Sequence, residues 1–156
     1  MEFNLADFKE NYLFSKLTDE EIQRVVELAT VKDAVGGTVF IEMGAGDHDI
    51  YVVLKGTAMV YRMGGVLLGE RGPGSVIGEI ALIDSRPRSA YVVAKAYMIY
   101  ARFDGNRLRQ FMIDNKEIGF TLLSNLARVL SARLREASEK VEDLEYKLAE
   151  KWPKTD

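Results

Sequence analysis

Twelve of the chain's 13 glycines lie between Gly36 and Gly105, and only Gly119 falls outside that window. Glycine supplies the positive-φ positions of tight turns and weakens helix interiors, so this distribution predicts a turn-rich centre between two helical flanks. Within the centre, short β-branched or aromatic runs alternate with Gly or Asp turns: Thr38–Ile41, Ile50–Lys55, Ala58–Arg62, Val66–Glu70, Ala90–Ala94 and Met98–Phe103. The linkers are too short for crossover helices, which excludes parallel β/α winding and predicts an all-β sandwich or barrel over residues 31–103. Gly64-Gly65 predicts a hairpin between its flanking strands, and Lys55-Gly56-Thr57 a second one.

The first flank, residues 1–30, carries a helix start. Thr18 and Glu21 form a capping-box pattern with Leu17 and Ile22 at the staple positions, so a helix begins near Asp19 and buries Ile22, Val25, Val26 and Ala29. Residues 3–14 form a shorter helical approach. The second flank, residues 104–156, begins near Asp104 and runs on without Gly after Gly119 or Pro before Pro153. Its apolar positions Leu123, Leu126, Leu130, Leu134, Ala137, Val141, Leu144 and Leu148 settle from Leu134 onward into a heptad, which predicts a coiled-coil helix and a parallel homodimer through residues 123–148. A helix folded back on its own barrel is the alternative use of such a stripe.

Composition removes whole classes of function. The length of 156 residues suits one domain, and a net charge of -3 from 21 Lys+Arg against 24 Asp+Glu argues against bulk attraction to nucleic acid. There is no cysteine and a single histidine, His48, so a disulfide framework, a thiolate or histidine metal cluster and a conventional triad are all excluded. No metal site and no enzymatic activity are expected, since metal-dependent barrels of this general shape gather two or more histidines. The start of the chain has no basic n-region and no apolar run approaches the ~18 residues of a spanning helix, which predicts a soluble, cytoplasmic protein without membrane contact.

The segment that carries chemistry is residues 72–90, Gly72-Pro73-Gly74-Ser75-Val76-Ile77-Gly78-Glu79-Ile80-Ala81-Leu82-Ile83-Asp84-Ser85-Arg86-Pro87-Arg88-Ser89-Ala90. Gly78 lets the backbone approach a ligand closely, and Glu79 to Leu82 can form one helical turn with its amides toward an anion. Arg88, fixed by Pro87, can bring a guanidinium fork onto the same anion, while Glu79 offers a carboxylate to sugar hydroxyls. The pairing suits a phosphorylated ribose. Arg86 is expected to be an exposed or loop-pinning charge, and His48 a loop residue.

The run from Gly78 to Ala90 resembles the phosphate-binding cassette of the cyclic nucleotide-binding domain family. Leu13 to Glu21 resembles the family's N-terminal helix, Gly44 through Tyr51-Val52-Val53-Leu54-Lys55-Gly56 its strand pair, and the C-terminal helix the dimer helix of the catabolite activator branch. The spacing from Glu79 to Arg88 resembles that of protein-kinase regulatory subunits more than that of the activator branch. The resemblance implies a β-barrel of the double-stranded β-helix jelly-roll type, with N-terminal helices and a long C-terminal dimerisation helix. It also implies a cyclic nucleotide ligand, cyclic AMP first and cyclic GMP as the alternative. Glu79 would take the ribose 2′-hydroxyl, Arg88 the cyclic phosphate and Ser89 a further phosphate hydrogen bond, with Gly78, Ile80, Ala81 and Ala90 completing the cassette. Arg133 and Leu134 fall where the activator branch places a Thr-Ser pair on the adenine, so Arg133 joins the ligand set while that branch's base recognition does not transfer. The Gly44–Tyr51 turn also departs from the family's usual Gly-Asp-x-Gly-Asp.

The function expected is a regulatory module that binds a cyclic nucleotide and signals through its C-terminal helix to an unknown effector protein. A structural dimerisation module with an empty pocket is the alternative. Eight residues after Leu148 leave no room for a helix-turn-helix, and the charges from Ala127 to Asp156 balance, so no nucleic-acid partner is expected.

Overall fold

The computed structural model describes residues 4–151. The first three residues of the expected N-terminal helical segment and the last five of the C-terminal one lie outside the described residues. The chain enters through helix α1 (Ala6–Lys9) and a 3-10 turn (Tyr12–Phe14). Helix α2 (Asp19–Val26) starts on the capping box seen in the sequence. Thr18 Oγ1 accepts from the Glu21 backbone N–H, and the Glu21 carboxylate accepts from the Thr18 N–H at 2.8 Å. Both orphan donors are thereby satisfied.

Eight strands follow: β1 (Ala29–Ala34), β2 (Val39–Ile41), β3 (Ile50–Lys55), β4 (Ala58–Arg62), β5 (Val66–Arg71), β6 (Val76–Ile77), β7 (Tyr91–Ala94) and β8 (Met98–Phe103). Every pairing is antiparallel, and the strands form two four-stranded sheets in the orders β1-β8-β3-β6 and β2-β7-β4-β5. This is a jelly roll. The Gly64-Gly65 hairpin forms between β4 and β5, both glycines having positive φ. The hairpin expected at Lys55-Gly56-Thr57 does not. There β3 pairs with β8 and β6, β4 pairs with β7 and β5, and the turn carries the chain from one sheet to the other. Gly56, at φ 83°, makes that corner tight: a Cβ would lie 2.6 Å from the Tyr97 carbonyl oxygen.

Two apolar clusters explain the strand sequences. Ile50 and Val52 pack outward against the helices, with Phe14, Phe103, Leu108 and Leu122, whereas Tyr51 and Val53 pack inward between the sheets, with Met98 and Tyr100. A strand covered on both faces reads as a continuous apolar run, which is how Ile50 to Leu54 reads. The second sheet lacks a helical layer, and its edge strand β5 exposes Val66, Leu67 and Leu68.

Helix α3 (Glu79–Asp84) sits within the 72–90 segment. Helix α4 (Gly105–Asp114) is capped by Asp104, whose carboxylate accepts from the Arg107 N–H at 2.9 Å. Helix α5 (Lys116–Lys151) buries Ile118, Leu122 and Leu126 in its first three turns and keeps partly covered residues as far as Arg133. Asn125, fully buried there, donates from Nδ2 to the Leu13 and Ser15 carbonyls at 2.8 and 2.7 Å and so ties α5 to the 3-10 turn. From Leu134 to Lys151 every residue is exposed, so the helix does not fold back on its own barrel. No helix among the described residues is long and apolar enough to cross a membrane.

Candidate ligand-binding site

The strand β6 and the helix α3 meet at Gly78, which has φ 91°. Only glycine fits. A Cβ would lie 2.5 Å from the Asp49 carbonyl oxygen and 2.6 Å from Arg88 Nη1. This close approach brings the ten-residue cassette loop back over itself, so that Arg88 Nη1 donates to the Gly78 carbonyl at 3.2 Å. Arg88 is 5% exposed and is gripped from the β2–β3 turn as well, since Nη2 donates to the Asp49 carbonyl at 2.7 Å and pairs with the Asp47 carboxylate. Its guanidinium carbon stands 5.8 Å from the Tyr51 ring. Arg88 Nε is buried and has no hydrogen-bond partner among the described residues. An unsatisfied donor on a buried cation is costly, and an anion oxygen is what would satisfy it.

Glu79 opens α3 with 2% exposure, and its carboxylate is held by Arg133 of α5, which also donates to the Val76 carbonyl. The expected ligand residues Gly78, Glu79, Ile80, Ala81, Arg88, Ser89, Ala90 and Arg133 all line one cavity of about 180 Å³, closed on its other side by Ile41, Val60, Leu68, Arg71, Ile77 and Val92. Arg71 and Arg133 also line a neighbouring groove of about 370 Å³, and so form the partition between the two. Arg86 is an exposed charge beside Asp84 and lies outside the cavity. His48 is half-buried with its backbone packed over Gly105, and it too is outside the cavity.

Three site residues were not singled out by sequence: Asp47, Asp49 and Arg71. Partial burial would raise the Asp47 carboxyl, but the hydrogen bond and charge of Arg88 outweigh it and hold the group below the usual aspartate value. Burial and then the charges of Asp47 and Asp49 push the Tyr51 phenol up to about 12, so the ring stays neutral beside Arg88. Asp49 links the cassette to the helices. While its carbonyl holds Arg88, its carboxylate accepts from the Gly105 N–H at 2.9 Å and pairs with Arg102 at 2.5 Å, a contact that raises the arginine's pKa. Arg109 of α4 adds a second link by donating to the Leu82 carbonyl at 2.5 Å, at the end of α3.

The family model described as the cyclic nucleotide-binding domain matches residues 32–115, which take in most of the barrel, the cassette and α4. The chain belongs to this family. The cyclic nucleotide-binding domain is 30% identical over 104 residues to a cAMP-dependent protein kinase regulatory subunit of Yarrowia lipolytica, covering 67% of this chain and 28% of that protein. It is 29% identical over 133 residues to Glutaminase 2 of Bradyrhizobium diazoefficiens, covering 85% of this chain and 21% of that one. Among solved structures, the Thermus thermophilus catabolite activator protein superposes with a TM-score of 0.74 at 26% identity, over 87% of this chain and 64% of that chain. The chain thus spans less than a third of either curated relative.

Proposed function

We propose that the chain is a regulatory module that binds a cyclic purine nucleotide and reports its presence through α5, without catalysing a reaction itself. The observation that carries this reading is a pair of buried opposite charges on one cavity: Arg88, whose Nε has no partner among the described residues, and Glu79, held by the side chain of Arg133 from a distant helix. In this reading Arg88 and Ser89 take the cyclic phosphate, and Glu79 takes the ribose 2′-hydroxyl. Both cyclic AMP, named in the kinase-subunit relative, and cyclic GMP belong to the ligand class.

The cavity of about 180 Å³ falls below the ~300 Å³ usual for ligand sites, and Arg133 lies across it. Entry of a nucleotide therefore exchanges Arg133 for the ribose at Glu79, which releases the ion pair between α5 and the cassette and opens the cavity into the adjacent groove. The exposed heptad face of α5 makes the module a parallel homodimer, working in the cytoplasm on an effector protein and not on DNA.

Calorimetry with cyclic AMP and cyclic GMP tests the reading, together with thermal shifts, in which ~100-fold saturation adds ~2.7 kcal/mol of apparent stability. Saturable binding of either nucleotide that is lost in Arg88→Ala supports it. No binding by the parent at high micromolar ligand, or equal binding by Arg88→Ala, overturns it in favour of an empty dimerisation module.

A further inference from the structure

An arginine stands on the inward face of the second sheet. Cross-strand partners share a face, and β7, β4 and β5 pair through Val92, Val60 and Gly69, and through Ala94, Ala58 and Arg71. All of these inward positions are apolar or glycine except Arg71. Its guanidinium folds back along β5, with Nη1 donating to the Glu70 carbonyl at 2.9 Å and lying 3.2 Å from where a Cβ of Gly69 would stand, so the glycine makes room for it. Among the described residues no carboxylate forms an ion pair with Arg71. Burial, and then the charge of Arg133, pull its pKa below the usual arginine value, partly offset by Glu136 and Glu79. It is a charged donor on the cavity lining whose hydrogen bond among the described residues goes to its own neighbour's carbonyl and not to a carboxylate.

Outside the run from Gly78 to Ala90, the polar side chains that line the cavity are those of Arg71 and Arg133, so that part of the lining offers donors only. Among the described residues Glu79 is the one carboxylate lining the cavity, and the ribose claims it; Glu136 lines the neighbouring groove instead. Purines differ at the edge such a wall would meet. Guanine presents two acceptors, N7 and O6, which an arginine fork matches, whereas adenine presents N7 beside an amino donor that opposes it. We infer that Arg71 reads the base edge and that the cavity selects a 6-oxopurine cyclic nucleotide, cyclic GMP over cyclic AMP. This rests on the cyclic-nucleotide reading above and reverses the order of preference expected from the sequence. An inward charge on an edge strand can also serve to prevent edge-to-edge association, a role that would leave ligand preference untouched.

Three ligands separate these outcomes: cyclic AMP, cyclic GMP and cyclic IMP, which keeps N7 and O6 but lacks the 2-amino group. Calorimetry on the full chain should show cyclic GMP and cyclic IMP binding at least roughly 10-fold more tightly than cyclic AMP, the scale of one bidentate arginine contact. Arg71→Ala should erase that gap by weakening the two 6-oxopurines while leaving cyclic AMP within about twofold. Arg71→Gln, which keeps an amide donor, should retain part of it. If the parent binds cyclic AMP as tightly as cyclic GMP, or if Arg71→Ala weakens all three alike, the inference is wrong and cyclic-nucleotide binding stands without it. The parent's preference decides the matter even if a variant misfolds. If the parent binds none of the three, the proposed function fails and this inference falls with it.

Discussion

Arg88 satisfies its terminal nitrogens with two carbonyls and a carboxylate but leaves Nε without a partner among the described residues, so in the proposed reading a ligand phosphate would complete a cation that the protein has already desolvated. Removing one partner of a buried charge pair costs ~3–5 kcal/mol, so Arg88→Ala should lose roughly 10²–10⁴ in affinity by calorimetry. Glu79→Ala should lose less, ~1.5–3 kcal/mol, and the loss should shrink for a 2′-deoxy ligand, which lacks the hydroxyl the carboxylate accepts from. Arg86→Ala, outside the cavity, should bind as the parent does. Asp47 gives a pH signature. Its carboxyl titrates lower in the folded chain than in the unfolded one, so its pairing contributes stability above the ordinary value of 3.8 and loses it as the pH falls below. Urea unfolding should therefore show the advantage of the parent over Asp47→Asn at neutral pH, and that advantage should shrink progressively as the pH is lowered below 3.8. Gly78, Glu79 and Arg88 were legible in the sequence because they sit in one short run whose glycine, proline and charges make sense together. Asp47 and Asp49 were not, since they reach Arg88 across 41 and 39 residues through strand pairing that no local pattern encodes. Arg71 looked like any charge at a strand end until the register put it inside.

Among the elements, those with local signals were readable: the capped start of α2, the Gly64-Gly65 hairpin, and the two-faced apolar strands β3 and β8. Strands β1 and β6 were not among the expected runs. β1 carries Lys32 and Asp33, and β6 has only two residues, so neither shows the apolar run or clean alternation that marks a strand. The Lys55-Gly56-Thr57 turn misled for a related reason, because a glycine turn specifies a reversal but not which sheet receives the next strand. The tie of α5 to the 3-10 turn was invisible too, since its hydrogen bonds come from Asn125, a polar residue in a helix otherwise read for its leucines. Asn125→Ala removes the donor from one buried and one part-buried carbonyl, and the buried one alone is worth about 1–3 kcal/mol when left unpaired. Urea denaturation should show a loss of that order, with hydrogen exchange speeding up in the 3-10 turn.

At the scale of the whole molecule, the exposed leucine face of α5 is the feature that needs a partner. Leu134, Val141, Leu144 and Leu148 are 69, 54, 59 and 57% exposed along a single heptad seam. Sedimentation velocity should give a dimer at micromolar concentration, and Leu134→Lys or Leu144→Lys should return it to monomer while leaving the thermal stability of the barrel nearly unchanged. A parent that sediments as a monomer would overturn the parallel dimer. The placement of the two anchors on α5 also sets its mechanics. Asn125 is fixed in the core, Arg133 lies eight residues further along, and Lys151 lies 26 residues along, or about 12 and 39 Å at the helical rise. Treated as a rigid rod pivoting on Asn125, the helix is a lever with a gain of about three, so that a 1 Å shift of Arg133 swings the far end through about 3 Å.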